Sequence, residues 1–428
     1  MMQQRNERRF NRQGRIAITF SKDFGNEHSL WTMGFVTPKV LQRSERGTFR
    51  DFNRYHIGGS SIYHWQKEFS STFKNHLSIG FDESYQDGSQ LFYSLTPSGG
   101  RGDTLRQNKR EAANSLGLFL HNEIRIASKL NIVFGVRYDV QGYIFQDFLK
   151  PKDDAKQVFK HATPKIAISY QFNPQHTIYA NVGGGVETPA FNEVDPPPDS
   201  LIIANGSTPI GGSNPLLDPT TSVTYEIGTK GFFSTKGFLS SLSYDAAAFY
   251  LTIQNDIIPW AGGRYYFTAG KSRRYGLEVG LNAHTTTNLL SSTALTIMNS
   301  KYIEYQNNLG SFDGNKTAGV PPFSLNARAR YTFPSKGFFE LGIEHLSSYV
   351  ADDANLVDVP SYSILHTTAG YNVIIGSMYV RIIAGVNNLL NRTYISSVYI
   401  NPEKTSDGYS VYEPGLPRSG FVNVSVGL

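Results

Sequence analysis

Two stretches of the chain combine cations with aromatic rings in a way that suits ligand binding. The first holds Arg101, Arg106, Lys109 and Arg110. The second, 259–274, holds Trp260, Arg264, Tyr265, Tyr266, Arg273 and Arg274. Guanidinium and ammonium groups attract an anion, and ring faces offer contact to an apolar body. The competing reading for each residue is an ordinary solvated loop charge or a ring at a membrane interface.

Other chemistries find less support. Asp352, Asp353, Asn355 and Asp358 could offer oxygens to Ca²⁺, but the glycine and bidentate glutamate of a calcium loop are missing, which favours a solvated loop. Glu193, Asp195 and Asp199 surround Pro196, Pro197 and Pro198, which reads as a stiff loop. The 10 histidines are scattered without metal-ligand or haem-like spacing, so neither a metal site nor a cofactor is expected. With no cysteine, disulfides, thiol catalysis and Cys-metal sites are excluded. No Ser/His/Asp order stands out, and no enzyme is expected. Arg101-Gly102-Asp103 matches an adhesion tripeptide that three residues reach by chance. The net charge of +5 is mild and no predicted face gathers Lys and Arg, so nucleic acid is not an expected partner.

The elements that must carry these residues alternate with period two. In Leu130–Gln141 the even positions are Leu130, Ile132, Phe134, Val136, Tyr138 and Val140, while Asn131, Arg137, Asp139 and Gln141 take odd positions. Such a segment is a strand with one apolar and one wet face. About seventeen segments of this kind recur, among them 14–24, 28–45, 52–65, 70–82, 106–126, 129–146 and 419–428. Short turns are expected near Gly25-Asn26, Gln66-Lys67 and Ser128-Lys129, alternating with longer loops near 46–51, 83–105, 187–219 and 389–418. No run of 18 apolar residues occurs, and aromatic residues make up 13% of the chain. The pattern predicts an all-β fold, a transmembrane antiparallel β-barrel with short periplasmic turns and longer extracellular loops. Residues 1–13 form a polar, basic N-terminal segment without the apolar core of a leader, and 14–428 form the barrel. The wet faces are read as solvated, with Glu226 and Glu278 expected to pair with cations there.

A series of motifs then appears in a characteristic order. Leu118-Phe119-Leu120-His121-Asn122-Glu123 precedes Gly135-Val136-Arg137-Tyr138-Asp139. Pro164-Lys165-Ile166-Ala167 and Ile178-Tyr179-Ala180-Asn181 lead to Gly185-Val186-Glu187-Thr188-Pro189-Ala190-Phe191-Asn192-Glu193. Asn214-Pro215-Leu216-Leu217-Asp218-Pro219 and Tyr225-Glu226-Ile227-Gly228 follow. Asn387-Asn388-Leu389-Leu390-Asn391-Arg392-Thr393-Tyr394 and Pro414-Gly415-Leu416-Pro417-Arg418 come before the final strand. Together they resemble the C-terminal barrel of TonB-dependent outer-membrane receptors, closely over 120–428 and by rhythm alone before that. Thr220 stands where the family usually has Glu, and Leu428 where an aromatic residue often ends the chain.

The resemblance implies roughly 22 strands and a lumenal plug in the whole protein. About seventeen are seen here, so the chain is expected to be the rear part of such a receptor, without plug, TonB-contacting segment or the first strands. It further implies energised uptake of a scarce ligand, a ferric siderophore or other iron chelate, in the outer membrane of a Gram-negative bacterium, by a monomer surrounded by lipid. TonB's energy-transducing complex would be the partner of the full-length protein. On this reading Arg101, Arg106, Lys109, Trp260, Arg264, Tyr265, Tyr266 and Arg273 are candidate ligand contacts. A passive outer-membrane pore, or a receptor for cobalamin, haem or oligosaccharide, is the alternative.

Overall fold

The computed structural model describes residues 8–427 except 46, 192, 262, 308, 403, 406–407 and 410–411. Residues 1–7 of the expected N-terminal segment, with the motif residue Asn192 and the terminal Leu428, therefore lie outside the described residues. The strands are β1 (Arg8–Gln13), β2 (Ile16–Asp23), β3 (His28–Glu45), β4 (Thr48–Ser70), β5 (Phe73–Leu95), β6 (Arg101–Ile126), β7 (Leu130–Asp147), β8 (Ala155–Asn173) and β9 (His176–Glu187). They continue as β10 (Thr220–Ser234), β11 (Leu239–Trp260), β12 (Tyr265–Thr285), β13 (Leu289–Glu304), β14 (Phe323–Thr332), β15 (Gly337–Leu346), β16 (Tyr362–Ile375), β17 (Met378–Asn387) and β18 (Ser419–Gly427). These 18 strands belong to one sheet, and every register described is antiparallel.

β1 and β2 are one run of chain along β3. Gln13 faces Lys39 and Ile16 faces Val36 in the same register, and Gly14 N–H donates to Pro38 O at 3.2 Å. Proline has no N–H to return, so the ladder breaks at that rung. Seventeen strand passes result, as the alternation predicts.

Two compact units make up the chain, residues 1–167 with 183–221, and residues 168–182 with 222–428. In the first, large apolar side chains at alternate positions stay exposed, including Ile16, Ile18 and Phe20, Ile79 and Phe81, and Phe134, Val136 and Tyr138. The second shows the same pattern at Tyr275, Leu277 and Leu281, at Phe339 and Leu341, and at Val422, Val424 and Val426. An extended apolar sheet face left uncovered by protein suits lipid. The opposite face is polar. There Arg137 binds Asp82 at 2.8 Å and Asp139 at 2.7 Å. The guanidinium passes over Gly117 of the intervening strand, where an added Cβ would lie 1.9 Å from Arg137 Nη2.

Several boundaries differ from the sequence reading. β4 does not turn at Gln66-Lys67. It runs to Ser70, with Gln66 N–H donating to Glu27 O at 2.8 Å, and the chain turns at 71–72. The expected loop 83–105 is mostly strand, since β5 has 23 residues and β6 has 26. Only 96–100 connects them. Likewise β4 already starts at Thr48, within the expected loop 46–51. A tilted strand needs about 9–11 residues to cross a bilayer. The surplus stands beyond the apolar band, where both faces meet water and alternation fades. The long connections are 188–219, 305–322, 347–361 and 388–418, while 96–100 and 261–264 are nearly as short as the turns at the other end.

The motif before the last strand has a local cause. Asn388 and Asn391 adopt positive φ, 49° and 51°, which asparagine tolerates. Asn388 Nδ2 donates to Arg392 O and Leu416 O, and Asn391 Oδ1 accepts Arg418 N–H at 2.9 Å. The two motif segments thus pin each other at the entry to β18.

Candidate ligand-binding site

In the first unit, paired strands bring a set of cations to the polar face. Lys39 is opposite Arg54, Leu41 opposite Phe52 and Thr37 opposite His56, so their side chains share one surface. With Gln13, Arg43 and Gln86 they line a cavity of about 380 Å³. Arg43 lies over the Phe52 ring at 5.5 Å and Arg54 at 5.3 Å, so two guanidinium groups share one ring. Glu45 binds both Arg43, at 3.3 Å, and Arg50, at 3.2 Å. Arg54 pairs with the buried Glu111. Lys39 has no carboxylate partner among the described residues. Thr37 Oγ1 and Arg54 Nε, both buried at this cavity, have no hydrogen-bond partner among them either. The cavity can hold an anion with an apolar or aromatic portion.

Loop 188–219 docks beside this surface. Tyr143 OH donates to Pro189 O at 2.8 Å, and the Phe191 ring meets Tyr143 edge-on at 5.1 Å. Arg54 also reaches the Phe191 ring at 5.9 Å. Lys109 is 3.8 Å from Asp195 of the same loop.

The structure sorts the residues expected from sequence by face. Lys109 shares the polar face with Glu111 and Arg54. Arg101 lies over the Tyr93 ring at 3.7 Å, and Arg106 donates to Gly47 O at 3.1 Å, bracing the neighbouring hairpin. Arg110 belongs to the opposite face and binds Asp87 at 2.6 Å and Gln146 at 3.0 Å. In the second unit, Trp260 packs on a cluster of Ile258, Ala269, Tyr302, Tyr305 and Phe312. Tyr265 contacts the Phe267 ring at 6.0 Å. Arg264 closes the hairpin turn, its N–H donating to Trp260 O, and Tyr266 pairs with Pro259 across that hairpin. Arg273 lies over the exposed Tyr275 ring at 5.6 Å, on the apolar face. Arg274, one residue on, turns to the polar face and Asp256 at 3.4 Å. The cavity residues Lys39, Arg43, Phe52 and Arg54 did not stand out because they alternate along strands. Lys39-x-Leu41-x-Arg43 and Phe52-x-Arg54-x-His56 were the available signal.

The acidic group 352–358 has a different role from the one weighed for it. Asp353 is fully buried, its Oδ1 accepting Tyr302 OH at 2.6 Å and its Oδ2 accepting Tyr305 OH at 3.1 Å and Asn401 Nδ2 at 2.8 Å. Its N–H donates to Asn401 Oδ1 at 2.9 Å, and Asn401 Nδ2 also reaches Pro259 O. Asp352 Oδ1 accepts the N–H groups of Leu356 and Val357. The carboxylates thus serve loop structure, and no metal-holding group of three or more acidic, His or Cys residues occurs among the described residues. One aspartate joins three loops and a hairpin of the second unit. Burial holds its carboxyl above the usual range, against the hydrogen bonds that pull it down. Glu226 likewise departs from expectation. Its Oε1 accepts Asn181 Nδ2 at 3.1 Å, and neither it nor Glu278 has a cation partner among the described residues.

Comparison with known proteins fits this architecture. The probable TonB-dependent siderophore receptor PiuA of Acinetobacter baumannii is 25% identical over 293 residues, covering 67% of this chain and 38% of PiuA. The metal-pseudopaline receptor CntO of Pseudomonas aeruginosa is 23% identical over 321 residues, covering 71% of this chain and 40% of CntO. The crystal structure of the ferric citrate transporter FecA in unliganded form superposes with a TM-score of 0.78 at 17% identity, covering 98% of this chain and 62% of FecA. The chain therefore spans about two fifths of the length of PiuA and CntO as curated relatives. Over residues 3–389 the sequence matches the family described as TonB dependent receptor-like, beta-barrel, and the chain belongs to that family.

Proposed function

We propose that the chain is the barrel portion of an energised outer-membrane receptor for an anionic ferric chelate in a Gram-negative bacterium. The observation that carries this is the polar-face cavity lined by Lys39, Arg43, Phe52 and Arg54, in which the Arg43 and Arg54 guanidinium groups lie near the Phe52 ring. Cations supply Coulomb attraction to a chelate's carboxylate or catecholate oxygens, and the ring supplies apolar contact. The similarity to PiuA and FecA, a siderophore receptor and a ferric citrate transporter, supports iron as the cargo. Lys109, on the same face, and Arg101 and Arg106, at the outer end of the same strands, extend the cationic surface. Trp260, Arg264, Tyr265 and Tyr266 are candidate contacts of the second unit, at its own β11–β12 hairpin. TonB would be the energy-transducing partner of the longer protein. CntO's name favours a second reading, a chelate of a metal other than iron.

The test is titration of the chain, refolded in detergent micelles, with ferric citrate while tyrosine and tryptophan fluorescence is followed. Saturable quenching is expected, weakened roughly tenfold by Lys39→Gln or Arg43→Gln, in keeping with about 1.5 kcal/mol per lost charge-assisted contact. Equal quenching by the variants sinks the assignment of the cavity. Preference for a nickel or zinc chelate favours the second reading, and binding of cobalamin alone overturns both.

A further inference from the structure

The second unit carries three cations in one cross-strand row on its apolar face. Arg273 of β12 is directly opposite Lys301 of β13, and Lys301 is directly opposite Lys316 of the following loop. Directly opposed residues of antiparallel strands project to the same side, and like charges placed so repel. Neighbouring strands are about 4.8 Å apart, so the row spans about 10 Å. None of the three has a carboxylate within ion-pair distance among the described residues. Asp256 is engaged by Ser272 and Arg274 from the other face, and Glu304 pairs in register with Lys271. Arg273 Nε is buried without a hydrogen-bond partner among the described residues.

The position of the row indicates what would satisfy it. Arg273 sits two residues beyond Tyr275, about 7 Å along the strand. Tyr275, Leu277 and Leu281 below it are 43%, 50% and 38% exposed and start the apolar band. An aromatic ring at the edge of such a band marks the membrane interface. The cations therefore stand at the level of lipid headgroups, beyond the acyl chains. The first unit also places cations on an exposed apolar strand face. On β8, Lys156 and Lys160 share an exposed face with Val158, 61% exposed, and Ile166, 55% exposed.

We propose that Arg273, Lys301 and Lys316 form a docking row for the phosphate of a lipid headgroup in the outer leaflet, its acyl chains lying on the band below. The row needs an anion to relieve its own repulsion, and the adjoining band needs hydrocarbon. A phosphorylated lipid supplies both, whereas a chelate moving along the polar face would not meet these side chains.

The experiment uses the whole chain, delipidated in a phosphate-free sugar detergent and incubated with a diphosphorylated glycolipid, phosphatidylethanolamine or inorganic phosphate. Bound phosphorus is counted by native mass spectrometry. The wild-type chain is expected to retain the phosphorylated glycolipid at least tenfold better than the triple variant Arg273→Gln/Lys301→Gln/Lys316→Gln. Lys301→Arg is expected to retain it. The heat-modifiable gel shift reports folding of each variant, and neutralising a like-charge row should not impair it. Equal retention by wild type and a folded triple variant overturns the proposal. So does inorganic phosphate binding as tightly as the acylated probe. Lys39→Gln is expected to lose ferric citrate and keep the lipid, so this inference and the proposed function fail separately.

Discussion

Replacing Asp353 by alanine would test whether one buried carboxylate holds the loops of the second unit together. The side chain accepts three hydrogen bonds, from Tyr302 OH, Tyr305 OH and Asn401 Nδ2. Asp353 and Tyr302 are almost wholly inaccessible, at 0% and 1%, so water does not readily replace the lost acceptor. Each stranded buried donor costs about 1–3 kcal/mol. Part of that is recovered, because the variant no longer buries a charge and the hydroxyls can rotate. We therefore expect a loss of about 3 kcal/mol in the free energy of local opening, toward the lower end for removal of one member of a buried charged network. This is roughly a hundredfold rise in exchange of protected amides. The amides to follow are Asn401, bonded to Ala351 O, and Asp353, bonded to Asn401 Oδ1. Hydrogen–deuterium exchange on the micelle-bound chain resolves both. Asp352→Ala serves as a control confined to one loop, because its carboxylate caps only Leu356 and Val357. Exchange at Asn401 unchanged within twofold in Asp353→Ala would falsify the reasoning. It would mean that the apolar cluster of Ile258, Tyr302, Tyr305 and Phe312 holds the loops unaided.

Further outcomes follow from the same geometry. Because burial raises the Asp353 carboxyl above its unfolded value, the protonated form is favoured by the fold. Loop protection, corrected for intrinsic exchange, should thus be fuller below the ordinary carboxylate range and decline as pH rises through the raised value. Asp353→Asn should abolish that dependence, and a wild-type trend of opposite sign refutes it. Gly117→Ala should expel the Arg137 guanidinium and lower stability to urea by about 1–3 kcal/mol. Gly142→Ala, where an added Cβ meets nothing within 4 Å, is the comparison, and equal midpoints for the two variants would rule the account out. Pro38→Ala supplies the missing N–H opposite Gly14. Amides of β1 should then exchange no faster than in the wild type, and faster exchange counts against the proline as the cause of the break.

The strands crossing the apolar band were legible because lipid on one side and a polar space on the other impose alternation. β3 begins at His28 and ends at Glu45, as the alternation predicts. Legibility ended where that asymmetry ended. Tyr85, Asp87, Arg110 and Gln146 form a polar strand surface held by side-chain hydrogen bonds, with no apolar rhythm to reveal it. The run Gln66-Lys67-Glu68 looks like a turn, yet Lys67 binds Glu27 at 3.1 Å from within a strand. The site was harder still. Lys39 and Arg54 sit on the two arms of one hairpin and become adjacent only through its register, and Asp353 meets partners about fifty residues to either side. Local composition cannot encode such meetings. It did mark the cations and rings of 259–274, whose division between two sheet faces only the register reveals.

The span of Arg137 over Gly117 has a consequence for assembly. The guanidinium on β7 grips Asp82 on β5 across β6, so three successive strands share one lock. A slip of one residue turns every side chain to the wrong face. A slip of two keeps the faces right and would escape detection by hydrophobicity alone. It would nevertheless replace Gly117 with Ser115 or Phe119 beneath the guanidinium and pull Asp82 out of reach. The lock thus proofreads a register error that the membrane cannot sense.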